Sequence, residues 1–466
     1  MMMNQKTLAL SLVSLLLAGC AVSPAYVTPG TPNITLASPQ QTQFKAADSI
    51  ASSTPWWTFF DDARLTQLIT AARAHNRDIA QAQANLLAAR AVFDERQLDR
   101  LPAVTGQAGW QRNLQQTAPD TRSATASTRL GLDAQWELDL FGRLGHISRS
   151  AQARAGAAQA DLRQAQLVIA AEVARNYYRA LGDQQHLALA QAQVDSWRET
   201  VTLVEARLAA GSGLPEERQN ALANLARSEA ALPPLQASLR QARYRLDVLS
   251  GQPPGATALA LTAPAAAPLA GQLPLGDVNQ LIRQRPDVVR AERLLAASSE
   301  DVGAATAELY PRLSLGGFIG FFALRGSSLF DAGARAFEVA PTISHPAFHL
   351  GSARARVRGT QAVAQGALAG YEQAMLLAQE DVENAVTQLA ENQTRLASLL
   401  QSARHGSAAL QIASTRYQAG AGSYQAVLEN QRALYDIRRD ALQSETASYT
   451  SAVALYQALG WGLNNE

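Results

Sequence analysis

Aromatic residues make up only 6% of this 466-residue chain, although 47% of it is hydrophobic. The apolar content is therefore mostly Ala, Leu and Val, a composition that favours long, closely packed helices. An excess of charge of one sign is also missing, since 40 basic residues face 39 acidic ones. That balance excludes the electrostatic footprint of a nucleic-acid binder. Cys20 is the only cysteine, so no intramolecular disulfide is possible. Beyond residue 19 no stretch offers some 18 consecutive uncharged apolar residues, and no transmembrane helix is expected in the mature chain. Anything there that crosses a membrane must do so as strands.

Lys6 precedes an apolar run from Leu8 to Leu17 that ends in Leu17-Ala18-Gly19-Cys20, the pattern of a bacterial lipoprotein signal. A run of about ten apolar residues is too short to span a bilayer, which takes roughly 20. Residues 1–19 are expected to be a removed signal peptide, and Cys20 to carry a covalent lipid of the palmitate kind. No other cofactor is expected. Ala21, in place of Asp, is the pattern of lipoproteins that go on to the outer membrane. Residues 20–60, opening "AVSPAYVTPGTPNITLASPQ", read as an extended lipidated tether.

The chain also repeats itself. A spacing of 209 residues links Leu101-Pro102 to Tyr310-Pro311, Asp78 to Asp287, Gly142 to Gly351 and Val173 to Val382. The same spacing links Arg207 to Arg416, Gly211 to Gly420, Gly213 to Gly422 and Gly251 to Gly460. This predicts a tandem duplication, with copies at 61–250 and 277–460. Between them lies a Pro-, Gly- and Ala-rich connector at 251–276, and a short tail follows at 461–466.

Each copy predicts one β-hairpin, at about 104–138 and about 313–345. In "LGLDAQWELDL", residues 130–140, Leu130, Leu132, Ala134, Trp136, Leu138 and Leu140 alternate with Asp133, Gln135, Glu137 and Asp139. That is a strand with one apolar and one charged face. "LSLGGFIGFF" and "FEVAPTISH" repeat the arrangement, with Val339 and Ile343 in phase with Leu130 and Ala134. The four strands either pack on helices as a small soluble sheet or meet lipid with their apolar face, as a membrane barrel requires. Four strands cannot close a barrel, which takes about eight or more, so a barrel here must be shared between chains. The residues alone allow a dimer, trimer or tetramer.

No proline interrupts residues 142–209. From Val173 the apolar positions Tyr177, Ala180, Leu187, Val194, Trp197, Val201, Val204 and Leu208 hold one heptad phase. Val382, Val386, Leu389, Leu396, Leu400, Leu410, Ala413 and Tyr417 repeat it. A helix of about 68 residues is roughly 100 Å long at 1.5 Å per residue. Shorter helices at about 76–100 and 214–250 pair with it, the latter disturbed at Pro233-Pro234.

A lipidated tether and two copies of helix, hairpin, long helix and returning helix, with the turns "RLAAGSG" and "RYQAGAGSY" and the pair "LDLFGR" and "AFHLGS", resemble the TolC-like outer-membrane efflux proteins. The resemblance is to their lipoprotein branch and covers essentially the whole mature chain. It implies a mainly α fold with β-hairpins: a long α-helical periplasmic barrel and a transmembrane β-barrel of twelve strands shared by a homotrimer. It further implies an exit duct passing drugs or other small toxic compounds, hence a part in multidrug resistance. The expected partners are outer-membrane lipid, a periplasmic adaptor and an inner-membrane transporter of RND, MFS or ABC type. The resemblance puts the periplasmic entrance at the helix turns, where Gly211, Ser212, Gly213, Gly420, Gly422 and Ser423 would contact the adaptor. Glycine there permits positive backbone angles. Tyr417 and Glu429 match positions of the family's gate, while Gly422 and Ala426 stand where some relatives carry a basic and an acidic residue. Arg207 and Arg416 are candidate substitutes, or are helix C-terminal arginines complementing the dipole.

Enzyme readings find no support in the residues. "QAGAGSYQ" follows a helix and lacks the Lys of a phosphate-binding loop. His345 and His349 are interrupted by Pro346, and no metal site is expected. Glu216-Glu217 and Asp61-Asp62 have no evident pocket, and no nucleophile is paired with a base. A pore-less periplasmic scaffold lipoprotein and a duct for type I protein secretion stand as the alternatives.

Overall fold

The computed structural model describes residues 26–30, 55–118, 121–256, 278–345 and 349–461. The expected signal peptide, Cys20, most of the tether and connector, and nearly all of the tail lie outside the described residues. The first copy holds α1 (Ala63–His75), α2 (Arg77–Leu98), β1 (Ala103–Ala118), β2 (Thr121–Leu138), α3 (Arg143–Ala209), α4 (Pro215–Ala230) and α5 (Leu232–Leu249). The second holds α6 (Val278–Gln284), α7 (Pro286–Ala307), β3 (Arg312–Ala323), β4 (Arg335–Ser344), α8 (Leu350–Gln418) and α9 (Tyr424–Leu459). Moved on by 209 residues, the bounds of α2 fall on those of α7. Among the described residues no helix is long and apolar enough to cross a membrane.

The four strands form one antiparallel sheet in the order β1-β2-β3-β4, so the two hairpins join through β2 and β3 and leave β1 and β4 as edges. Asp139 and Leu140, read from the sequence as the end of a strand, lie beyond β2. Asp139 instead accepts the amides of Leu144 and Gly145 at 3.0 and 2.7 Å and caps the start of α3.

The described residues fall into two compact units. One holds residues 26–30, 84–160 and 289–373, and with them the sheet. Its buried helix faces are built from small side chains, Ala151, Ala155, Ala157, Ala296 and Ala297 among them. Without bulk on either helix, α3 and α7 approach closely: a Cβ on Gly303 would sit 2.4 Å from the His146 ring. Polar groups at this seam are paired. His146 Nδ1 lies 2.6 Å from Glu300, Arg149 Nε donates to Glu300 at 2.8 Å, and Arg154 and Ser150 both reach Asp301 at 2.6 Å.

The other unit holds residues 55–83, 161–288 and 374–461. It gathers many of the scarce aromatics into one core, where Trp56 stacks on Tyr456 at 6.0 Å and Tyr178 on Tyr449 at 4.5 Å. Leu65, Ile69, Leu389, Leu396, Leu455 and Leu459 are fully buried in the same unit.

Four helices in this unit end in the same way. Gly211, Gly251, Gly420 and Gly460 take φ of 74, 73, 72 and 65°. At each, the following amide reaches back to the carbonyl five residues earlier: Ser212 to Arg207, Gln252 to Asp247, Ala421 to Arg416 and Trp461 to Tyr456. This is the Schellman closure, which satisfies carbonyls that a helix end would leave bare. The returning helix of the first copy breaks at Ala231, upstream of where Pro233-Pro234 pointed, because both prolines fit the first turn of α5. Its counterpart α9 has no proline and runs unbroken.

Two of these helix ends are held by residues 209 apart. Asn76 caps α2 through its side-chain oxygen and donates its amide to the Leu249 carbonyl at 3.0 Å. Arg285 donates to the Ala458 carbonyl at 2.7 Å and also binds Asp287 at 2.7 Å and Asp381 at 2.9 Å. Burial works against the Arg285 charge, but the bonds to the two carboxylates outweigh it and hold its pKa above the ordinary arginine value. Replacing Arg285 with Met is expected to destabilise the fold by about 1–3 kcal/mol, chiefly because it strips a buried carbonyl of its donor, the two carboxylates it leaves being partly exposed. Asn76→Ala is expected to cost about 1–2 kcal/mol as a lost cap. Denaturant unfolding of the purified protein measures both.

Candidate membrane sheet and helix-turn tips

Register sorts every strand residue onto one of two faces. Across the four strands, Val104 pairs with Ala134, Leu132 with Ile319, Trp136 with Leu315, Ile319 with Phe337 and Leu313 with Ile343. This face is apolar throughout its middle, yet Val339, Ile343 and Phe337 are 68, 73 and 81% exposed. A contiguous exposed apolar surface of this kind marks a contact with lipid or protein. Aromatic side chains border it at both ends. Trp110 pairs with Thr128 at the level where β3 ends, and there Phe321 meets Phe330 edge-on at 5.8 Å. At the helix end, Trp136 donates its indole to the Arg100 carbonyl, and Phe141 stacks on Tyr310 at 4.9 Å. From Trp136 to Thr128 is about 27 Å along the strand at ~3.4 Å per residue, or ~21 Å tall at a barrel tilt, near the apolar band of a membrane barrel.

The opposite face carries Thr105, Gln107, Gln111, Ser127, Arg129, Asp133, Gln135, Glu137 and Glu338. An aromatic ring also lies here. Phe318 is 7% exposed because Gly131 and Gly320 leave a slot beside it, where a Cβ would come within 2.6 and 2.9 Å of its ring. Arg129 covers the ring at 3.9 Å and pairs with Asp133 at 2.7 Å. Alternation did not disclose this contact, since "GGFIGFF" is too uniformly apolar and small to separate two faces. The signal was the pair of glycines on neighbouring strands.

The second candidate site is the pair of turns between the long and returning helices. Of the tip glycines, only Gly211 and Gly420 need the left-handed region. Gly213 and Gly422 are there for space: a Cβ on Gly213 would meet the Leu208 amide nitrogen at 2.8 Å, and one on Gly422 would meet Arg416 and Tyr417 within 3.2–3.3 Å. The expectation of positive angles at all of these glycines is corrected accordingly. Ser212 donates to the Arg207 carbonyl at 3.2 Å, and Ser423 caps α9 by accepting the Ala426 amide at 3.2 Å. Gly211, Ser212, Gly213, Gly420, Gly422 and Ser423 thus each hold a turn that is exposed or nearly so.

The two arginines, equivalent in sequence, do different things. Arg416 stays on its own turn, its guanidinium 3.5 Å from the Ala421 carbonyl. Arg207 reaches the other turn and donates to the Tyr417 hydroxyl at 2.7 Å, with its guanidinium 5.9 Å from the ring. Tyr417 packs on Tyr424 at 5.2 Å, and burial raises the Tyr424 pKa, which keeps that phenol neutral. Glu429 accepts a hydrogen bond from Gln425 at 2.9 Å. Tyr424 was not singled out from the sequence, although the stretch from Tyr417 to Tyr424 displays both rings.

A mainly helical chain with a four-stranded antiparallel sheet and an apolar outer face is built as the TolC-like outer-membrane channels are. The chain belongs to the Outer membrane efflux protein family, which matches residues 68–252 and 278–461. It is similar to the solvent efflux pump outer membrane protein SrpC of Pseudomonas putida, with 30% identity over 96% of each chain. Among solved structures it resembles the outer-membrane channel OprN, at 39% identity and a TM-score of 0.89 over 95% of this chain and all of that one. The open state of the Neisseria gonorrhoeae MtrE outer membrane channel gives 27% identity and a TM-score of 0.84 over 96% and 99%.

Gly420→Ala is expected to destabilise by about 1–2 kcal/mol, the cost of holding an L-residue in the left-handed region. Gly366→Ala, at an exposed glycine in the interior of α8 with nothing within 4 Å of an added Cβ, is expected to stabilise by about 0.8–1 kcal/mol. Paired thermal melts separate the two.

Proposed function

We propose that this protein is the outer-membrane exit duct of a tripartite efflux system, passing drugs or other small toxic compounds outward. One observation carries the reading: a four-stranded sheet with an exposed apolar face and two edge strands, β1 and β4, that pair with nothing further among the described residues. A sheet of this kind enters lipid only if its edges are closed, because unpaired backbone groups are not tolerated in hydrocarbon. Three copies, each pairing β4 with the next chain's β1, close a barrel of twelve strands. The polar face then lines water.

In this reading Cys20 carries the lipid that fastens the chain to the membrane, and the helical part extends into the periplasm. The turns at Gly211–Gly213 and Gly420–Gly422 meet a periplasmic adaptor, which joins the duct to an inner-membrane transporter of RND, MFS or ABC type. The Arg207–Tyr417 bond ties one turn to the other and acts as a latch at the entrance. No catalytic step is assigned to any residue. The names of relatives, such as the solvent efflux protein SrpC, favour small toxic molecules over secreted proteins as cargo.

Reconstituted in planar bilayers, the full-length protein is expected to run as an oligomer and to conduct ions. Neither an oligomer nor any conductance would sink the duct reading and favour a pore-less scaffold. Arg207→Ala is expected to raise the mean conductance above that of the native protein, and Tyr417→Phe to do so by less, because it removes the hydrogen bond but keeps the ring. Equal conductance in all three would remove Arg207 and Tyr417 from the latch and leave the duct itself standing.

A further inference from the structure

The apolar face of the sheet is not free of charge: three arginines stand on it, all toward the strand-connecting loops. We infer that Arg112, Arg122 and Arg335, spread over eight residue pairs from the level of Phe321 to the hairpin end of β1 and β2, form a basic strip that binds phosphate groups of glycolipid in the outer leaflet. This rests on the duct reading only in that the sheet must span the outer membrane.

Register places the three side chains. Arg112 pairs with Ala126, Arg122 with Gln116 and Arg335 with Phe321, which puts all of them on the face of Trp110, Leu130 and Ile319. All three are exposed. No hydrogen-bond or carboxylate partner is found for any of them among the described residues. The other strand arginines and the one that follows β2 are paired: Arg129 with Asp133 at 2.7 Å, Arg312 with Glu308 at 3.4 Å, and Arg143 with Glu137 at 2.7 Å. The acidic residues of the described strands, Asp133, Glu137 and Glu338, all lie on the opposite face. Among the described residues, one face therefore carries mixed and largely compensated charge, and the other carries three cations with no carboxylate beside them.

Their position makes that imbalance informative. Helices α2 and α3 leave the sheet at the end of Trp136, so in a duct whose helices lie in the periplasm the loop end faces outward. Trp110, and Phe321 with Phe330, mark the boundary of the apolar band at this end. An arginine on the lipid face is costly at mid-membrane and nearly free near the interface, which places these residues at headgroup level, where phosphate groups lie. The guanidinium fork fits phosphate with two parallel hydrogen bonds, which an ammonium cannot supply. A phosphorylated glycolipid offers those oxygens where the arginines emerge, with acyl chains to lie on Leu130, Ile319 and Phe337.

The test uses the full-length oligomer extracted in mild detergent. It is stripped of lipid and offered bis-phosphorylated lipid A, monophosphoryl lipid A or phosphatidylglycerol, and bound lipid is read by native mass spectrometry. The native protein is expected to retain bis-phosphorylated lipid A most strongly, with loss of about 10-fold or more in the variant carrying Arg112→Gln, Arg122→Gln and Arg335→Gln, for three charge-assisted contacts removed. A control with Arg198→Gln and Arg218→Gln, far along the chain from the strands, is expected to match the native protein. Equal retention by native and triple variant, or equal binding of phosphatidylglycerol, would overturn the site. If the triple variant does not assemble, Arg335→Gln and Arg335→Lys carry the test, both expected to weaken retention several-fold, and no weakening in either overturns it. Conductance, measured separately on the native protein, decides the duct reading independently of lipid retention.

Discussion

A backbone amide or carbonyl facing hydrocarbon without a partner costs several kcal/mol, and β1 and β4 each offer a row of them. Much else in the chain is consistent with that one constraint. The sheet has too few strands to close on itself, and among the described residues its apolar face is left uncovered. Each hairpin enters and leaves through helices, and Trp110, Trp136, Phe141, Tyr310 and Phe330 stand towards the two ends of the apolar face. A chain so built has two half-interfaces in place of a finished surface. In the proposed duct, its stability in lipid is tied to association with its own kind.

The helical part solves a related problem by other means. Helices nearly seventy residues long leave few ends, and the ends they do leave are finished with glycine closures and side-chain caps. The same closure serves at exposed turns and at buried junctions. At the turns it leaves small, rigid tips with little side chain around them. At the junctions it lets another chain segment pass close by: a Cβ on Gly251 would strike the His75 carbonyl, and one on Gly460 the Arg285 side chain. A single backbone device thus yields either an accessible tip or a close-packed joint, depending only on what surrounds it.

The architecture was legible in the sequence because its signals are periodic. Alternation in residues 130–138, the proline-free run after Gly142 and the 209-residue spacing each reflect a regular backbone, and regular backbones leave regular patterns. The turn positions were legible for the same reason. The pairings between distant elements were not. Arg207 meeting Tyr417, Arg129 covering Phe318, and Arg285 reaching Ala458 each join residues that no local pattern relates, and the equivalence of Arg207 to Arg416 even suggested that the two would behave alike. The break at Ala231 was misplaced by reading proline as a helix breaker, when the first turn of a helix accepts it readily.

The junction residues Asn76 and Arg285, 209 positions apart, do one task with different chemistry. The first copy holds its returning helix with a neutral amide, the second with a guanidinium shared between two carboxylates, one of them, Asp381, half open to solvent. An amide bond to a carbonyl is nearly indifferent to dissolved ions, whereas a partly exposed ion pair weakens as they accumulate. Two halves of similar shape therefore respond unequally to ionic strength, and a change in the osmotic medium loosens one joint of the protein while leaving its twin as it was.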